Sequence, residues 1–118
     1  MEAFDILGDP VRRRILELLA SGERSAGDVV EVVRAEFGLT QPAVSRQLRV
    51  LRESGFAGVR AEGTRRLYAL NGEALEGVES WLTELRRQWS QRLDTLETEL
   101  TRGRRREPDE RSRRRRHA

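Results

Sequence analysis

Apolar residues recur through the last third of this chain at Leu75, Val78, Leu82, Leu85, Trp89, Leu93, Leu96 and Leu100. Their steps of 3 and 4 residues describe one continuous helical seam with a single departure from a strict heptad. A helix from Asn71 to Arg102 would run about 45 Å at ~1.5 Å per residue, more than a small body can cover. The chain has 118 residues, of which 36% are hydrophobic and 5% aromatic, a lean supply for the core of a monomer. Leu82, Leu85, Trp89, Leu93 and Leu96 are therefore expected to pack against a second copy, giving a homodimer. Trp81 and Trp89 project about 80° apart on such a helix. Only Trp89 lies on the seam, and both dimer packing and an aromatic-lined effector pocket suit the pair.

Upstream, the periodic stretches are shorter. Phe4 and Leu7 mark a short helix or turn. Asp9-Pro10 then starts a full helix, because Asp9 can cap free N–H groups and Pro10 is preset for the first turn. Val11, Ile15, Leu18 and Leu19 form its stripe, and Ser21-Gly22 ends it. A stripe of Val29, Val32, Val33 and Phe37 follows Ser25 and stops at Gly38. Thr40 caps the next helix, which tolerates Pro42 in its first turn, turns Val44, Leu48 and Leu51 inward, and closes at Ser54-Gly55. Val59, Leu67 and Tyr68 then flank Glu62-Gly63-Thr64, the pattern of a β-hairpin with a glycine turn, before Asn71 caps the long helix.

Two helices joined by the tight Phe37-Gly38-Leu39-Thr40 turn and followed by a hairpin predict a winged helix-turn-helix. The fold class is mainly α with a short β-hairpin and a long C-terminal dimerisation helix. Residues 1–70 are expected to form the DNA-binding domain, 71–102 the dimerisation helix, and 103–118 a disordered Arg-rich tail. With Val44, Leu48 and Leu51 inward, the opposite face of that helix carries Gln41, Ser45, Arg46 and Arg49, beginning at Thr40. A guanidinium can bond guanine O6 and N7 together, an amide can pair with adenine, and a hydroxyl suits either. Arg60, Arg65 and Arg66 fall near the hairpin tip, where they can hold phosphates or enter the minor groove of double-stranded DNA. Arg12, Arg13 and Arg14 read instead as a solvated face that pairs with Asp9 or Glu17.

The stretches GDPVRRRILELLASGERS, LTQPAVSRQLRVLRESGF and VRAEGTRRLYAL, in that order and spacing, resemble the ArsR-type winged-helix repressors of bacteria. The resemblance covers roughly Phe4 to Leu70 and implies a homodimeric, sequence-specific DNA-binding repressor of an operon, in some cases its own. The stretch VESWLTELRRQWSQRLDTLETEL looks like a metal-independent branch of that family. Metal-sensing members carry a cysteine pair near the start of the first motif helix, or histidines and carboxylates on the last helix. Here the first region reads Glu23-Arg24-Ser25-Ala26-Gly27-Asp28, and the long helix offers Glu76, Glu79 and Glu84 without histidine. Carboxylates alone are poor transition-metal ligands, so no metal and no cofactor is expected. Gln47 stands where the family usually has histidine and is expected to keep a polar supporting role. The stretch from Val29 to Phe37 is about one turn longer than usual for the family.

Composition narrows the function classes further. The chain has no cysteine and a single histidine, His117, which reads as a spectator. Disulfides, thiolate sites and cysteine catalysis are excluded, and an enzyme is not expected. The net charge of +3 conceals an imbalance: residues 1–100 hold 14 Arg and 17 acids, and residues 101–118 hold 9 Arg and 3 acids. The basic character thus belongs to the tail, and pI alone says nothing about the folded part. No apolar run reaches membrane-spanning length and the start lacks a signal-peptide pattern, which points to a cytoplasmic, nucleoid-associated protein with no membrane partner. A winged-helix protein–protein interaction module is the alternative function. Its docking face would carry exposed apolar side chains rather than arginines and glutamine. The identity of any small-molecule effector stays open.

Overall fold

The computed structural model describes residues 2–114, with side chains described for residues 2–103. The element order is α1 (Ala3–Leu7), α2 (Pro10–Ala20), β1 (Arg24–Ser25), α3 (Ala26–Phe37), α4 (Gln41–Glu53), β2 (Ala57–Glu62), β3 (Arg65–Leu70) and α5 (Glu73–Arg114). The chain divides into two compact units, residues 1–79 and 80–118. The start of α5 belongs with the first unit, where Ala74 and Leu75 pack on the core.

Helices α2, α3 and α4 each begin where a side-chain cap dictates. The Asp9 carboxylate accepts from the Val11 and Arg12 amides at 2.7 and 3.1 Å. The Ser25 and Thr40 hydroxyls accept from the Asp28 and Ala43 amides. Each such cap stabilises its helix by ~1 kcal/mol. Helix α3 ends at Gly38, whose φ of 66° is left-handed; a side chain there would be strained, so glycine sets the tight turn into α4.

Ile15, Leu18 and Leu19 of α2, Val29 and Val33 of α3, and Val44, Leu48 and Leu51 of α4 close one core with Leu67 and Tyr68 nearby in β3. Full burial of each such aliphatic side chain is worth about 1.5–3 kcal/mol. Ile6, Leu16 and Phe56 are equally buried, although the sequence pattern had not singled them out. Phe37, placed on the apolar stripe by its spacing, is instead 39% exposed. Each four-residue step advances about 40° around a helix, so Phe37 has drifted about 80° from Val29 and leaves the buried line.

The hairpin forms as expected, with β2 and β3 antiparallel from Ala57↔Leu70 to Glu62↔Arg65 and Gly63 at φ 62° in the turn. It is part of a three-stranded sheet of order β1-β3-β2, since Arg24 and Ser25 pair with Tyr68 and Leu67. Asn71 caps α5 by accepting from the Glu73 amide, while its own amide donates to the Gly55 carbonyl at 2.9 Å.

The expectation of a disordered tail concerns residues 103–118, most of whose side chains lie outside the described residues. The backbone of α5 stays helical to Arg114. His117 and residues 115–118 lie outside the described residues. No helix among the described residues is long and apolar enough to cross a membrane.

Candidate nucleic-acid interface

Helix α4 is strongly two-faced. Val44 and Leu51 are fully buried and Leu48 nearly so, whereas Gln41, Arg46 and Arg49 are exposed and Ser45 is half-buried. The core stripe therefore fixes which side chains α4 can show to a partner. Thr40 stands at its N-terminus, exposed, with its hydroxyl engaged by the Ala43 amide at 3.3 Å. Among the described residues, neither Arg46 nor Arg49 makes an ion pair or side-chain hydrogen bond within the chain. Two unpaired guanidiniums on one helix face leave a full set of donors for an external acceptor.

The wing divides its three arginines. Arg65 opens β3 beside the Gly63-Thr64 turn, Arg66 follows it, and both are exposed without a partner among the described residues. Arg60, expected near the tip, lies lower on β2 opposite Leu67. The Nε–Nη2 edge of its guanidinium is held by the two oxygens of Glu23, at 2.8 Å each, and Nη2 also donates to Glu62 at 3.1 Å. The hydrogen bonds from Arg60 hold the Glu23 carboxyl below the usual carboxylate range, and Glu23 in return raises the Arg60 pKa. The structure thus brings Arg65 and Arg66 together and sets Arg60 apart. A contact 37 residues away in sequence left no local signal by which Glu23 could have been found.

The arginines of α2 make contacts inside the unit. Arg14 forms a bidentate pair with Glu36 at 2.8 and 2.9 Å and a looser one with Glu17 at 3.5 Å. Arg13 donates to the Leu7 carbonyl at 2.6 Å. Arg12 donates to the Gln47 side chain, so Gln47 has the supporting position expected for it.

In the second unit, Leu82, Leu85, Trp89, Leu93 and Leu96 are between 43% and 58% exposed along α5. Leu82, Leu85 and Trp89, with Thr83 and Arg86, line an apolar groove of about 630 Å³, and Trp81 does not line it.

The turn before α3, where metal-sensing ArsR-type proteins place cysteines, does not fit a metal. Glu23 has both oxygens on Arg60, and Ser25 is engaged as the α3 cap. Among the described residues no group of three or more His, Cys, Asp or Glu side chains comes together.

Comparison with known proteins places this arrangement. The family profile described as bacterial regulatory protein, arsR family, matches residues 9–58. The transcriptional repressor SdpR of Bacillus subtilis is 32% identical over 79 residues, covering 67% of this chain and 83% of the repressor. The crystal structure of a possible transcriptional regulator for arsenical resistance superposes with a TM-score of 0.63 at 29% identity, over 84% of this chain and 96% of that one. The homodimeric winged helix-turn-helix DNA-binding domain Mb0332 of Mycobacterium bovis matches with a TM-score of 0.53 at 26% identity, over 75% of this chain and 78% of that one.

Proposed function

Because this chain belongs to the ArsR family of bacterial regulatory proteins, we propose that it is a homodimeric, sequence-specific DNA-binding repressor of an operon, its own among the candidates. The observation that carries the reading is the outward face of α4, where Arg46 and Arg49 stand opposite a buried stripe bordered by Gln41 and Ser45, and both arginines are unpaired among the described residues. In a major groove these side chains reach base edges, and Thr40 with Arg65 and Arg66 holds the flanking phosphates. Arg60, its Nε–Nη2 edge held by Glu23 and Glu62, contributes less than Arg65 and Arg66.

The exposed seam of α5 supports the dimer, since a strip of five large apolar residues needs cover. The family relation and the donor set of α4 both favour regulation over catalysis, and a regulator of this kind works in the cytoplasm, on the nucleoid. No metal takes part in this reading, and a small organic effector remains open to test.

Selection from a randomised duplex library should enrich a pseudo-palindrome whose half-sites lie about one helical turn, or a multiple of it, apart. Leu93→Asp should abolish that enrichment and yield monomer by sedimentation. A wild-type chain that sediments as one 13.6 kDa species at micromolar concentration would overturn the dimer, and enrichment of no sequence would overturn the DNA reading.

A further inference from the structure

Arg12 is an unusual arginine for its place. It sits in the first turn of α2, where the helix dipole disfavours a cation, and its side chain is only 16% exposed. Its guanidinium is distributed over three elements. Nε donates to the Ile6 carbonyl at 3.0 Å and Nη2 to the Asp5 carbonyl at 2.9 Å, which serves acceptors that the end of α1 leaves unpaired. Nη1 donates to Gln47 Oε1 on α4 at 2.8 Å, with Asp9 3.9 Å away. One side chain therefore ties the end of α1 and the start of α2 to the middle of the helix proposed to read DNA.

Gln47 occupies a particular position on α4. At 100° per residue it flanks the Val44-Leu48-Leu51 stripe about 60 to 70° from its centre, while Gln41 and Ser45 border the stripe on the other side. The apolar stripe fixes which face of α4 is buried, but the hydrophobic term is non-directional and does not by itself choose among small rolls of the helix about its axis. A roll of about 20° carries an atom ~6 Å from the axis through about 2 Å, enough to break a bidentate contact with a base. A directional hydrogen bond on the flank opposes that roll. We infer that Arg12, acting through Gln47, is a positioning residue for sequence discrimination: it sets the roll of α4, and with it the angle at which Arg46 and Arg49 are presented. The inference rests on the proposal that the α4 face reads DNA.

The test uses the full chain and two duplexes, the sequence enriched by the wild type from a randomised library and a scrambled control. Gln47→Leu should lower the ratio of affinities for the two by about tenfold, with binding to the scrambled duplex and the melting temperature held close to wild type. Gln47→Glu, which keeps an acceptor for Arg12, should restore the ratio. Arg12→Gln should lower the ratio similarly, and combining it with Gln47→Leu should add little, because both cut one link. A Gln47→Leu protein with the wild-type ratio overturns the inference while leaving the DNA reading intact, as do losses for the two variants that simply sum. A wild type that enriches no sequence overturns both, and the two failures are thereby told apart.

Discussion

Helices α2 and α4 both display arginines, yet the two sets have opposite situations. On α2, Arg12, Arg13 and Arg14 are each satisfied by carbonyls, Gln47 or Glu36. On α4, Arg46 and Arg49 have no partner among the described residues, and the wing repeats the contrast with Arg60 held and Arg65 and Arg66 unpaired. The same side chain is thus structural in one place and available in the other. Its neighbours decide, because a carboxylate on one edge of a guanidinium takes up a bidentate pair of donors and offsets the charge, which weakens the pull on a phosphate.

Substitutions can break this contrast. The largest effect is expected at α4: Arg46→Ala or Arg49→Ala should cost about 1–3 kcal/mol on the enriched duplex and relax preference at one base position per half-site. Equal losses on enriched and scrambled duplexes would place these residues on phosphate instead. Next come Arg65→Ala and Arg66→Ala, which should weaken all sequences alike and reduce the slope of log affinity against log salt by about 0.9 for each phosphate left without its arginine. A titration from low to high salt reads this directly.

Smaller still is the effect of freeing a held arginine. Glu23→Gln should release Arg60 and raise affinity for every duplex by about two- to fivefold at low salt, whereas Arg14→Ala should leave DNA binding unchanged. A loss of binding for Arg14→Ala would erase the distinction between the two helices.

The smallest effect concerns a held arginine of α5. Hydrogen bonds from Arg87 and then Gln88 hold the Glu84 carboxyl at about 2, against an ordinary value of 4.5. A carboxyl depressed in this way stabilises the folded form fully above 4.5, and the contribution is lost as pH falls from 4.5 toward 2. Circular dichroism of Glu84→Gln should lack that component of acid-induced helix loss, and an identical acid profile for both proteins would show these hydrogen bonds to be without consequence. The group is exposed, so the difference is slight.

Local signals were legible in the sequence and non-local ones were not. Asp9, Thr40 and Asn71 announce their helices because a cap acts within three residues, and the Val44-Leu48-Leu51 stripe shows by subtraction which side of α4 faces outward. Strand β1 is only Arg24–Ser25, too short for any alternation, and exists because β3 lies beside it. The positions of Arg60 and Gln47 follow from spacing, yet their partners Glu23 and Arg12 come from distant segments. Phe37 departs from its expected place because the apolar pattern continues along a helix whose last turn has already rotated away from the core.

Strand β3 lies in the middle of the sheet, between a neighbour joined to it by a tight turn and another joined only through the whole helix-turn-helix. Pairing β2 with β3 closes only a tight turn, whereas pairing β1 with β3 closes a loop that contains α3 and α4 and costs more chain entropy. The residue that completes this outer pairing, Ser25, also caps α3. The outer edge of the sheet and the start of the helix-turn-helix therefore meet in one residue, whose backbone pairs with Leu67 while its hydroxyl accepts from the Asp28 amide.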